Sequence, residues 1–151
     1  MATMDGSVMV DTNVLVYAAI EDAPFHATAA SAICRCVREG ADFWISRQIL
    51  REFVACLTRP QLFAPLPSRS AVLQQAREWE SRALVAEDSA HVTEILFDLL
   101  DRFPVGGKQV HDANIVATML AHGISTLLTN NPADFRRFSR TITLRPLVDE
   151  V

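Results

Sequence analysis

Apolar residues occur along this chain in two rhythms. Three short runs are nearly unbroken: Ser7-Val-Met-Val10, Asp42-Phe-Trp-Ile45 and Ile124 to Thr129. Each is closed by a cap-type residue, Asp11, Ser46 and Asn130 respectively. Runs of this length without alternation predict strands buried on both faces. Ala83-Leu-Val85 and Ile142-Thr-Leu144 are weaker runs of the same kind. The helical rhythm fills the spaces between them. Val14 to Ile20 continues as helix after Asp11-Thr12-Asn13. A second helix opens at Pro24 and Phe25, carries Ala29, Ala30, Ile33, Cys34 and Val37 on one stripe, and ends at Gly40. After Ser46, the residues Ile49, Leu50, Phe53, Val54 and Leu57 define a core-facing stripe that ends before Pro60. Further helices are predicted over Arg69 to Arg82, Ser89 to Arg102 and His111 to His122, the last stopped by Gly123.

Residues 60–68 hold three prolines and read as a loop, as does Phe103 to Lys108, while Asn130-Asn131-Pro132 reads as a turn. No repeat, low-complexity stretch or internal boundary interrupts the pattern, so residues 1–151 are expected to form a single domain. Short strands alternating with helices predict an α/β fold. The expected form is a three-layer sandwich whose central parallel sheet of about four to five short strands is covered by helices on both faces. Ligands of such sheets gather at the C-terminal ends of the strands. Asp11 lies at the end of the first strand, and Thr129 and Asn130 at the end of the last long one.

Composition narrows the setting. A chain of 151 residues with half of them apolar is ordinary for a globular protein. Val8 to Ile20, the longest apolar stretch, is interrupted by Asp11, Thr12 and Asn13, and no basic segment precedes it. A membrane span or secretion signal is therefore not expected, and the location expected is cytoplasmic. Cys34, Cys36 and Cys56 lack zinc-type spacing and read as free thiols in a reducing compartment. The net charge of −4 is unusual for a nucleic-acid binder. Several carboxylates clustered around a divalent cation would account for most of that excess.

Three acids carry the candidate chemistry. Asp11 follows Val-Met-Val directly, although Asp is also a good helix cap. Glu52 sits in Ile49-Leu-Arg-Glu-Phe-Val54, where a glutamate beside a core stripe is commonly a solvated flank residue. Asp112 lies in the helix start His111-Asp-Ala-Asn-Ile, where an acid also favours the helix dipole. Each is ambiguous alone. Together, Val10-Asp11-Thr12-Asn13, Arg51-Glu52-Phe53, His111-Asp112-Ala113 and Leu128-Thr-Asn-Asn-Pro-Ala-Asp-Phe135, in that order and over nearly the whole chain, resemble the PIN-domain family. The closer resemblance is to the toxin nucleases of VapC type from bacterial toxin–antitoxin pairs.

That resemblance implies a metal-dependent endoribonuclease using Mg²⁺ or Mn²⁺, with Asp11, Glu52 and Asp112 as catalytic and metal-binding acids. Many family members carry Asp where this chain has Asn130, which keeps a carbonyl oxygen but no charge; Asp134 could compensate. Thr12 and Asn13 are expected beside the metal or the phosphate. Arg47, Arg51, Lys108 and His111 are the candidate substrate contacts, with Arg136, Arg137 and Arg140 nearby. Converging carboxylates need a cation or protons between them, and a hard divalent ion with oxygen ligands suits them. The loss of one acid suggests one firmly held ion. The implied partners are RNA, a small cognate antitoxin and a second copy of the chain, with apolar surface after Pro24 and around Phe63 available for protein contacts. A phosphohydrolase of HD type would need further histidines at set spacing, and an Asp-nucleophile phosphatase would want a carboxylate at position 13. A non-catalytic PIN-like module is the remaining alternative.

Overall fold

In the computed structural model, which describes residues 6–62 and 64–148, β1 (Ser7–Val10) is flanked on both sides by parallel neighbours. Met9 pairs with Trp44 of β2 (Asp42–Ser46) on one side and Leu127 of β4 (Thr126–Thr129) on the other. With β3 (Leu84–Ala86) and β5 (Thr143–Pro146) the described strands form one parallel sheet of order β3-β2-β1-β4-β5. Hydrogen-bonded on both edges and covered on both faces, Val8, Met9 and Val10 are at most 1% exposed. That is why the first run needs no polar alternation.

The order of the strands sets the layers. From β1 to β2 to β3 the chain moves in one direction through α1 (Thr12–Ala19), α2 (His26–Arg38), α3 (Arg47–Leu57) and α4 (Arg69–Arg82). It then returns past β1 to β4 through α5 (Ala90–Arg102) and α6 (Gln109–His122). Right-handed crossovers in opposite directions put the two helix groups on opposite faces. The packing agrees: α1 lies against α2 and α3, α3 against α4, and α5 against α6. The reversal makes the gap between the ends of β1 and β4 a topological switch point, the usual crevice for a ligand.

Local chemistry fixes the helix ends. Ser46, Ser68 and Ser89 each accept a backbone N–H three residues on, at 3.1, 3.1 and 3.4 Å, and each such cap is worth about 1 kcal/mol. Gly123 ends α6 with φ of +69°, a left-handed conformation that favours glycine. Leu15, Ile45, Ile49, Phe53, Leu57, Met119 and Leu127 are fully buried between the layers.

Several expectations shift. The helix α1 begins at Thr12 and α6 at Gln109, each two residues earlier than the apolar pattern suggests. The buried residues of α2 are Ala29 and Cys36, whereas Cys34 is exposed and Val37 is 62% exposed, so the stripe is turned by about one residue. Beyond Asn131 the chain winds into a 3₁₀ helix, Pro132–Phe138, whose Phe135 and Phe138 are buried. The surface expected around Phe63 lies outside the described residues. No described helix is long and apolar enough to cross a membrane.

Candidate active site

Asp11 leaves the end of β1 and caps α1. Its backbone N–H still bonds Leu128 O at 2.9 Å, as though the strand continued one residue further. Its Oδ1 accepts from Thr12 N at 2.8 Å. Its Oδ2 accepts from the Thr129 hydroxyl at 2.8 Å and from Asn13 Nδ2 at 3.4 Å. Thr129, wholly buried at the end of β4, accepts in turn from Asn131 N at 3.0 Å. Asp11 is 7% exposed, and desolvation pushes its pKa up to about 6. The hydrogen bonds from Thr129 and Thr12 oppose that rise, and the charges of Glu52 and Asp134 add to it.

Glu52 is brought to Asp11 by the packing of α3 on α1. Thr12 Oγ1 donates to Glu52 Oε2 at 2.8 Å, and Gln48 Nε2, one turn earlier on α3, donates to Oε1 at 2.9 Å. Gln48 is 5% exposed and fully engaged: it also donates to His111 O at 2.9 Å and accepts from Asn114 Nδ2 at 2.8 Å. One buried amide thus ties α3 to the start of α6. Its polar character inside the Ile49 and Phe53 stripe, one turn before Glu52, was the signal in the sequence.

Asp112, in the first turn of α6, is half-buried, and its pKa is also pushed up to about 6. Burial is the main cause, followed by the charges of Asp134, Asp11 and Glu52, with His111 opposing them. Asp134, in the first turn of the 3₁₀ helix, acts on both raised aspartates. Asp11, Glu52, Asp112 and Asp134 therefore form one electrostatic group. All four line a single cleft of about 750 Å³ together with Thr12, Asn13 and Lys108.

Other candidates lie elsewhere. Arg47 points to α4 and β3, ion-paired with Glu80 and with Glu87 at 2.8 Å, and does not line the cleft. Arg51 lines a separate groove with Leu73 and Arg77 of α4. His111 has an exposed side chain and enters the site through its carbonyl oxygen. Asn130 bonds Asn13 Oδ1 through its backbone N–H at 3.1 Å, while its side-chain amide donates to the Tyr17 hydroxyl at 3.4 Å. Asn130 lies one residue beyond β4, and its side chain is turned to Tyr17 of α1. Asp134, not Asn130, is the fourth group at the cleft. Gln48, Asn114, Tyr17, Arg59 and Gln61 are site residues that the sequence motifs did not point to.

Among the described residues, no three acidic, histidine or cysteine side chains stand close enough to ligate one ion together. Glu52 and Asp11 instead spend their oxygens on Thr12, Gln48, Thr129 and Asn13. The donor set nevertheless suits a hydrated hard cation. Mg²⁺ keeps several waters and commonly takes one or two carboxylates from the protein. Two aspartates short of solvation, with raised pKa values, flank the cleft and meet that requirement.

Residues 8–141 match the family model described as PIN domain. Ribonuclease VapC24 of Mycobacterium tuberculosis (strain ATCC 25618 / H37Rv) is 27% identical over 144 residues, covering 93% of this chain and 97% of that protein. The crystal structure of VapBC2 from Rickettsia felis, bound to a DNA fragment from their promoter, superposes with a TM-score of 0.68 and 20% identity, over 92% of this chain and 97% of that one. The sarcin-ricin loop cleaving toxin VapC20 of M. tuberculosis superposes with a TM-score of 0.61 and 20% identity, over 80% and 87% of the two chains.

Proposed function

Because the chain belongs to the PIN-domain family, we propose that it is a metal-dependent endoribonuclease acting as the toxin of a toxin–antitoxin pair. The observation that carries this reading is the gathering of Asp11, Glu52, Asp112 and Asp134 around one cleft at the switch point of the sheet. Related chains of similar length are named ribonucleases. Others are crystallised as toxin–antitoxin complexes, which supports RNA as substrate and a small antitoxin as partner. The toxin reading carries with it a cytoplasmic location and a homodimer.

Asp11 and Asp112 would hold the divalent ion, Mg²⁺ or Mn²⁺, with Asp134 as the further acid of the cleft. Glu52, fixed by Thr12 and Gln48, would orient the attacking water. When bound, the ion polarises the phosphodiester and makes an attacking water more acidic. Asp11 and Asp112 take up protons near pH 6 when no cation is present, so binding the ion releases protons near neutral pH. Asn13 steadies the Asp11 carboxylate and the backbone of Asn130. Lys108, at the cleft wall before α6, supplies a positive charge for the substrate phosphate.

Purified protein should cut single-stranded RNA with Mg²⁺ or Mn²⁺, leave 5′-phosphate and 3′-hydroxyl ends, and stop in EDTA. Products with a 2′,3′-cyclic phosphate, or cleavage that persists in EDTA, would overturn the mechanism. That no three acidic, histidine or cysteine side chains, among the described residues, stand close enough to ligate one ion together favours one second reading, a non-catalytic binding module. That reading requires the absence of any Mn²⁺-dependent thermal shift.

A further inference from the structure

The cleft continues well beyond its carboxylates. Along α1, Asn13, Val16 and Tyr17 share the lining face; along α3, Glu52, Ala55 and Cys56 share another, and Arg59 follows just after the helix end. The middle of this trough is small and apolar, with Val16, Ala55 and Cys56, while its far end carries Tyr17, Arg59 and Gln61. Arg59 lies two residues beyond the end of α3 and lines the same cleft as Glu52.

All three far-end groups are held in place. Gln61 Nε2 donates to Cys56 O at 2.6 Å and Arg59 O at 3.1 Å, tying the chain after α3 back onto the helix end. Arg59 Nη2 rests 3.3 Å from Cys56 Sγ. The Tyr17 ring is tilted against Phe25, with centroids 5.7 Å apart, and its hydroxyl accepts from Asn130. Phe25 itself has φ of +65°, the one described non-glycine residue with positive φ, and is 43% exposed. A phenylalanine held in that costly backbone state is kept there by its surroundings.

We propose that the trough is a nucleotide subsite next to the scissile phosphate: Arg59 pairs with the flanking phosphate, and Tyr17, backed by Phe25, stacks the flanking base. Stacking needs a base that is free of its own neighbours, as in the single-stranded RNA already proposed as substrate. This inference rests on the ribonuclease reading for its substrate class. Apolar walls with cationic and aromatic ends fit one splayed nucleotide.

The test uses full-length protein and a fluorescent single-stranded octaribonucleotide, with binding followed by anisotropy in Ca²⁺ and cleavage followed separately in Mn²⁺. Arg59→Ala should weaken binding several-fold and flatten the slope of log affinity against log salt by about 0.7. Tyr17→Ala should weaken binding by about tenfold, and Tyr17→Phe should restore most of it. An abasic nucleotide beside the cut site should weaken wild-type binding by a similar factor and leave Tyr17→Ala unaffected. Arg77→Ala, in the separate groove, serves as the unchanged control. Should Tyr17→Ala fail to fold, the abasic series on wild-type protein still decides. Arg59→Ala and abasic RNA that both behave like the control would overturn the subsite, even if RNA is cut. RNA that is bound with these dependences but never cut overturns the nuclease reading and leaves the subsite standing.

Discussion

Replacing Asp11 by asparagine should destroy cleavage and yet make the cation-free protein more stable at neutral pH. Asp11 is 7% exposed, and its pKa in the folded state is about 6 against 3.8 for the free side chain. A folded carboxyl that binds its proton more tightly than the unfolded one loses stability as pH rises between those values, and the loss is complete above the folded pKa. Over a rise of this size the cost of charging Asp11 is about 3 kcal/mol. An asparagine never ionises and escapes it, but one of the bonds from Thr12 N and the Thr129 hydroxyl is weakened, returning about 1–1.5 kcal/mol. The net gain should be about 1–2 kcal/mol near pH 7.5, or roughly 3–6 °C in Tm for a chain of this size. Near pH 4.5, where the folded wild type is largely protonated at this group, the gain should vanish or change sign. Urea unfolding followed by circular dichroism, in EDTA at both pH values, measures the difference. Adding Mn²⁺ near pH 7.5 should stabilise the wild type more than the variant. If Asp11→Asn is destabilised equally at both pH values, the carboxylate is not under strain, and the electrostatic account of the site is wrong.

Asp112→Asn should abolish RNA cleavage while leaving the circular dichroism spectrum unchanged, measured at equal Mn²⁺ with equal protein; retained cleavage would remove Asp112 from the site. Because the Asn130 amide faces Tyr17, Asn130→Asp should leave calorimetric Mn²⁺ affinity within about twofold, whereas Asp134→Asn should weaken it by roughly tenfold. The reverse order would return the fourth position to residue 130. Arg47→Ala should lower stability by no more than about 1 kcal/mol, because its ion pairs with Glu80 and Glu87 are solvent-exposed. It should also leave RNA affinity unchanged in an anisotropy titration.

What could be read from the chain depended on how local the determining interactions are. The β1 run and Asp11 behind it were legible because a buried parallel strand is uniformly apolar, so the first acid after it marks the sheet's C-terminal edge. The helix from Arg69 to Arg82 was legible to the residue, with Ser68 as its cap. In α2 the phase was lost because Ala29, Ala30, Ala32, Cys34 and Cys36 differ too little in hydrophobicity to fix a stripe. Arg47 was read as a substrate contact because it sits near Glu52, but its partners Glu80 and Glu87 are 33 and 40 residues away in sequence. Asn130 was read through its neighbours in the motif. Its amide is turned to the hydroxyl of Tyr17 on α1, a contact distant in sequence that no local pattern contains. The 3₁₀ helix that presents Asp134 was hidden behind Asn-Pro, a signal that specifies a turn but not how it continues.

The four acids do not share one means of support, and that difference orders the site before any ion arrives. Asp11 caps α1 and Asp112 sits in the first turn of α6, so two helix N-termini point partial positive charge into the cleft. Glu52 lies mid-helix, where the dipole gives no help, and is instead held by Thr12 and by Gln48. Gln48 is itself bonded to both His111 O and Asn114, so a displacement of α6 would disturb the Glu52 carboxylate as well as Asp112. The acids are therefore coupled mechanically through one amide and electrostatically through their charges. Burial leaves Asp11 and Asp112 short of solvation, and the dipoles and hydrogen bonds offset only part of that shortfall, as their raised pKa values show. The remainder favours a proton or a cation at the sheet edge, which the buried core around Phe53 and Leu127 underlies.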